Sequence, residues 1–300
     1  MSQNASRVTQ VRHDAENAAA LFPALLAEAE RIAQTIASGL HGRRQAGTGE
    51  TFWQHRPYAF GDPVNSIDWR QSARMNDRLF VRQNEWEAPA SIYIWRDPSR
   101  SLDYSSQTRT QTKSHRSNIL ALALTILLSK AGERISILGK NQRPFQGRTA
   151  PMKMLEALDI GTFKDGLSLP PPANPTPGSR VVLISDFYNN ETAIEKSVRA
   201  LSATGAVGVL LQICDPAEEE FPFSGRVEFE DFKGPDRLIF GNAGTVAENY
   251  KAKFSAHRDA LKHIASQSGW TFIAHRTDHT AQTALLALFK ALVDQKIQVR

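Results

Sequence analysis

Two stretches of the chain are apolar at consecutive positions, Ile92 to Trp95 and Val181 to Ser185. Unbroken apolarity over so few residues predicts strands covered on both faces, as in the middle of a parallel sheet. AVGVLLQICD, Ala206 to Asp215, and WTFIAHR, Trp270 to Arg276, read the same way. ERISILG predicts a shorter strand, and Arg143 to Phe145 an edge strand. Between them the period changes. Leu120, Leu124, Leu127 and Leu128 fall at helical spacing, and Ile119, Leu122 and Ile126 widen that apolar side. They predict a helix over Ser114 to Ala131 that is covered on most faces. Further helices are expected up to Leu158, from Thr245 to about Ser266, and from His279 to Asp294. RVEFED and DRLIF predict a two-stranded ribbon. Strands alternating with helices predict an α/β domain over 89–300, with a doubly wound, mostly parallel sheet.

The first part of the chain has a different pattern. Residues 1–21 are polar and read as a flexible N-terminus. Leu25, Ala29, Ile32 and Ile36 recur at helical spacing behind Pro23, which predicts an amphipathic helix from Phe22 to Ser38. Five glycines between Gly39 and Gly61, then RLFVRQNEWE over Arg78 to Glu87, predict turns and short strands. Residues 22–88 are therefore expected to form a helix and a small β-rich segment.

Composition narrows the class. The chain has 300 residues, 41% hydrophobic and 22% charged, with a net charge of +5. The segment from His41 to Arg82 holds seven arginines against four acids, less than a phosphate-tracking groove needs. No nucleic-acid partner is expected on that ground. The most apolar run, Ile119 to Leu128, is ten residues, too short for a membrane span. Neither that run nor the N-terminus predicts an anchor or a signal peptide, so a soluble, cytoplasmic protein is expected. Cys214 is the only cysteine, which excludes an intramolecular disulfide.

The first apolar strand runs into D-x-S-x-S. Pro98 ends the strand, and Asp97, Ser99 and Ser101 follow at alternate positions. One carboxylate and two hydroxyls on one side of a tight loop suit a hard cation such as Mg²⁺. Asp186 ends the second strand, where α/β sheets place their ligands. Thr149 precedes a helix and can cap it. Phe52, Trp53, Arg56, Tyr58, Trp69, Arg70 and Arg74 interleave aromatic and basic character. That mixture can stack bases, anchor a protein partner, or build a satellite core with Arg–Asp pairs to Asp62 and Asp68.

Ordered positions in this region carry a family resemblance. Gly47, Gly49, Glu50 and Phe52 are followed by Arg56, Tyr58, Gly61 and Asp62. Ile67, Asp68, Trp69, Arg70, Ala73 and Arg74 come next, then a strand and D-x-S-x-S. The chain thereby resembles the domain of unknown function family 58, whose members look like von Willebrand factor A domains with an N-terminal extension. The resemblance implies that the Ala90 and Val181 strands are neighbours. It also implies that Asp97, Ser99, Ser101, Thr149 and Asp186 together hold Mg²⁺ or Mn²⁺. It further implies a non-enzymatic protein-interaction module working with a MoxR-type AAA+ ATPase in assembly or maturation of client proteins. Arg56, Tyr58, Asp62, Asp68, Trp69, Arg70 and Arg74 are then candidates for partner binding. The alternative is a Mg-dependent phosphodiester hydrolase or a nucleic-acid-binding protein, although two carboxylates leave no evident general base.

Other chemistry has little support. No G-x-G-x-x-G, P-loop or G-x-S-x-G follows any strand. His257, His263, His275 and His279 show no ligand spacing and read as solvated or satisfied histidines. Cys214 reads as core filling.

Overall fold

The computed structural model describes residues 27–33, 51–60, 62, 64, 67–74, 78–85, 90–107, 111–140, 142–158, 168–230 and 237–298. The expected flexible N-terminus, the G-x-G-E motif and Gly61 lie outside them. Two compact units are present, Leu40–Pro89 in one and the remainder in the other.

The larger unit is built on strands β3 (Ser91–Arg96), β4 (Arg134–Ile137), β5 (Arg180–Ser185), β6 (Val207–Cys214) and β9 (Thr271–Arg276). They form one sheet in the order β4-β3-β5-β6-β9, and every pairing is parallel. Phe145, on the expected edge strand, forms an antiparallel bridge to Ile135. Strand order reverses between β3 and β5, so the crevice for a ligand opens there.

Alternate residues of each strand feed two cores. Ile92 and Ile94 of β3 and Val182 and Ile184 of β5 pack with helices α3 (Lys113–Lys130), α4 (Ala150–Ala157) and α8 (Ala281–Gln298). Trp95, Val181 and Leu183 face the other way, against α5 (Glu191–Ser202) and α7 (Ala247–Gln267). Helix α3 is buried on nearly every side from Lys113 to Leu128. Gly208 of β6 is dictated by close approach, since a Cβ there would lie 2.6 Å from the Trp270 ring and 2.6 Å from the Val181 carbonyl oxygen. α6 (Pro216–Glu220) follows β6 directly, and β7 (Val227–Glu230) pairs antiparallel with β8 (Arg237–Phe240) as the expected ribbon.

The N-terminal helix, α1, is described over residues 27–33. Ala29, Ile32 and Ala33 join the core formed with α3, so this helix belongs to the α/β unit and not with the β-rich segment as grouped by the sequence reading. Its apolar stripe needs a covered surface, and the sheet unit supplies one.

In the smaller unit β1 (Thr51–Pro57) pairs antiparallel with β2 (Phe80–Glu85), and α2 (Trp69–Ser72) is a single turn. Asp68 caps α2 by accepting from the Gln71 amide at 3.0 Å.

Candidate metal centre

The register of β3 on β5 brings the two candidate acids together. Arg96 lies opposite Ile184, and the Asp97 amide donates to the Ile184 carbonyl at 2.9 Å. Both chains then leave the sheet at the same edge. Asp97, Ser99 and Asp186 are buried, and Ser101 is half-buried. Asp97 Oδ1 accepts from the Ser99 amide at 2.8 Å. Its Oδ2 accepts from the Ser185 hydroxyl at 2.5 Å. The hydroxyls of Ser99 and Ser101 lie 2.9 Å apart. Ser185 also accepts from the Phe187 amide at 2.9 Å, so one hydroxyl ties the β3 turn to the β5 turn. Phe187 has φ 57°, a left-handed backbone that few side chains adopt.

A second cluster adjoins Asp186. Lys113, the first residue of α3, is 1% exposed; its ammonium donates to Asp186 Oδ2 at 3.0 Å and to Glu218 Oε1 at 2.6 Å. It also faces the rings of Tyr188 and Tyr104, with 5.0 Å and 5.8 Å to the ring centres. Glu218 is fixed by a capping box, in which its Oε2 accepts from the Asp215 amide at 2.7 Å. Asp186 Oδ1 accepts from the Tyr188 amide at 3.2 Å.

Burial dominates the electrostatics. It pushes the Asp97 carboxyl up to about 6, with the nearby Asp186 charge adding to the rise. Glu218 is raised by burial against the opposing pull of Lys113. Burial alone would lower Lys113, but the Asp186 and Glu218 carboxylates outweigh it and the ammonium is held more firmly charged than usual. Tyr188 is raised well above its ordinary range, chiefly by burial.

The donor set fits a hard cation. Asp97 offers two carboxylate oxygens, one held by the Ser99 amide and the other by the Ser185 hydroxyl, and the Ser99 and Ser101 hydroxyls add neutral oxygens of the same hard kind. Among the described residues no three His, Cys, Asp or Glu side chains are grouped to hold a metal. A cation here therefore depends on the serine hydroxyls beside Asp97 and Asp186.

A family model described as "Protein of unknown function DUF58" matches residues 54–260. The chain belongs to the DUF58 family. Two solved structures are similar to this DUF58 chain. One is an aerotolerance-related membrane protein from Bacteroides fragilis NCTC 9343 with multiple mutations to serines, 16% identical with a TM-score of 0.42. The other is the conserved hypothetical protein BatB from Bacteroides thetaiotaomicron, 13% identical with a TM-score of 0.38. Each alignment covers 68% of this chain and 99% of the other. No curated protein matches the chain. No helix among its described residues is long and apolar enough to cross a membrane.

Thr149 is the fifth expected ligand of this DUF58 member. Thr149 is exposed at the N-cap of α4, makes no capping bond there, and has no hydrogen bond to Asp97, Ser99, Ser101 or Asp186. Lys113 stands in a polar stretch of the sequence yet is buried, because two carboxylates and two aromatic faces receive its charge.

The smaller unit separates the partner-binding candidates. Asp62 accepts from the Ala59 amide at 2.9 Å, and the Tyr58 hydroxyl donates to the Asp62 carbonyl at 3.3 Å. Asp68 pairs with His55 at 3.0 Å, where the sequence reading placed an arginine. These residues hold the turn together. Trp69, Arg70 and Arg74 are exposed. The Arg56 side chain lies outside what is described.

Proposed function

We propose that this DUF58 chain is a metal-dependent protein-interaction module, non-enzymatic and cytoplasmic, that works with a MoxR-type AAA+ ATPase on client proteins. One observation carries the reading: Asp97, Ser99, Ser101 and Asp186 are gathered at the carboxyl edge where the strand order reverses. Mg²⁺ or Mn²⁺ held there would supply an open coordination position for a partner's carboxylate. Ser185 keeps the Asp97 carboxylate in one orientation, and the Ser99 amide holds its other oxygen. Trp69, Arg70 and Arg74 offer a second contact surface of the kind that anchors protein partners.

The groups best able to do covalent chemistry are not activated. The Cys214 thiol is pushed up to about 12 by burial, far from thiolate formation at neutral pH. His275 is driven down to about 4 by burial and by Arg116, so it stays neutral but enclosed.

The test is capture of a purified MoxR-type ATPase by the tagged chain, in Mg²⁺ and in chelator. Binding that requires Mg²⁺ and weakens in Ser99→Ala and Ser101→Ala is expected. Binding indifferent to both would remove the metal from the reading. Phosphodiester cleavage that disappears in Asp97→Ala with Asp186→Ala would replace it with hydrolysis.

A further inference from the structure

We infer that Lys113 is the resident counter-ion of this site and competes with an incoming divalent cation for Asp186, with Glu218 as its alternative seat. The inference rests on the reading that the site takes such a cation.

The lysine is placed for the acids and not for its helix. It occupies the first position of α3, where a positive charge opposes the helix dipole. A buried ammonium in that place needs compensation, and Asp186 and Glu218 supply it at 3.0 Å and 2.6 Å. The two carboxylates play unequal parts. Asp186 leaves β5 at the edge where the Asp97 amide bonds the Ile184 carbonyl and the Ser185 hydroxyl bonds the Asp97 carboxylate, whereas Glu218 is anchored to the Asp215 backbone by its capping bond. The shorter contact is to Glu218, and the Tyr188 and Tyr104 rings flank the ammonium as well. Releasing Asp186 therefore leaves Lys113 with a full carboxylate partner and two π faces. Keeping both cations on Asp186 would set like charges side by side in a buried place. A divalent ion gains Asp186 fully only when Lys113 shifts onto Glu218. The lysine thus sets the concentration of cation at which the site loads.

Two variants separate the parts. Lys113→Met removes the charge and keeps the side-chain length. Glu218→Gln removes the charge of the second seat, and its carbonyl oxygen can still accept from the Asp215 amide. Titration calorimetry with Mn²⁺ is expected to show about tenfold tighter binding in Lys113→Met, the ordinary size of a coupling between two sites. Glu218→Gln is expected to bind more weakly than wild type. In wild type the Lys113 side-chain NMR signal should move during a Mg²⁺ titration, with the midpoint that calorimetry gives. Equal or weaker binding in Lys113→Met, unchanged binding in Glu218→Gln, or a Lys113 signal unmoved at saturation would each overturn the competition while leaving the metal reading intact. If Lys113→Met does not fold, Glu218→Gln and the NMR titration decide alone. Absence of divalent binding in wild type and in both variants would overturn the metal reading itself, and the competition with it.

Discussion

The Ser185 hydroxyl donates to Asp97 Oδ2 at 2.5 Å across the β3–β5 pair, joining the ends of two strands that lie far apart in the chain. The same oxygen accepts from the Phe187 amide. Ser185→Ala therefore removes a donor from a buried carboxylate and an acceptor from a buried amide. The expected loss is about 1–3 kcal/mol, read by urea denaturation. A loss close to zero would mean that water takes over both bonds.

The buried pair of Lys113 and Asp186 gives a second test. In metal-free buffer Lys113→Met should cost about 3–5 kcal/mol, because it leaves carboxylates uncompensated out of water. Adding Asp186→Asn to that variant should restore part of the loss. A double-mutant cycle in urea measures the recovery, and strict additivity would show that the two side chains do not depend on each other.

His275 gives the protein an acid limit. Burial and the Arg116 guanidinium, 3.5 Å from its Nε2, hold its folded value near 4 against 6.5 when unfolded. The folded state therefore binds fewer protons than the unfolded one between those values. Stability from this group is complete above about pH 6.5 and is lost as pH falls toward 4, by at most about 3 kcal/mol. Denaturation midpoints of wild type and His275→Gln, compared from pH 7 to 4, should converge as the pH drops.

Gly208→Ala should be among the most damaging small changes. The new methyl would lie 2.6 Å from the Trp270 ring and 2.6 Å from a β5 carbonyl, and the latter is backbone of a central strand. Overpacking of this kind costs about 1–3 kcal/mol or more, visible as a lowered thermal midpoint. An unchanged midpoint would mean that β6 slides away from its neighbour freely.

Adjacent residues of the smaller unit should behave in opposite ways. Asp68→Ala removes the α2 cap and the His55 partner and should lower the thermal midpoint. Trp69→Ala removes a side chain that is 61% exposed and should alter stability by no more than about 0.5 kcal/mol. Lost ATPase capture in the Trp69 variant with stability intact would assign the ring to recognition. Retained capture would remove it from the contact surface.

Much of this was legible in the sequence because the signals were local. Ile92 to Trp95 and Val181 to Ser185 declared buried strands through unbroken apolarity, and Asp97 and Asp186 sat at their ends. Lys113 and Glu218 escaped because their meaning depends on residues 73 and 105 positions from Lys113. One lysine in a polar run has no period to reveal burial. Two signals were nevertheless present. Thr112 stands where a cap precedes the apolar helix, and its hydroxyl accepts from the His115 amide. Asp215 and Glu218 have capping-box spacing immediately after a strand. Either would have placed its neighbour at the carboxyl edge. For Thr149 the position before a helix was legible, but the capping role read from it fails, since the hydroxyl caps nothing.

Phe187 sits in a left-handed backbone directly after Asp186 while its ring is fully enclosed by the sheet and its helices. The main chain there cannot swing without drawing an aromatic ring out of packed surroundings. Any adjustment around Asp186 must therefore fall to side chains alone, so the edge works as a stiff socket whose one movable pin is an ammonium on a four-carbon tether.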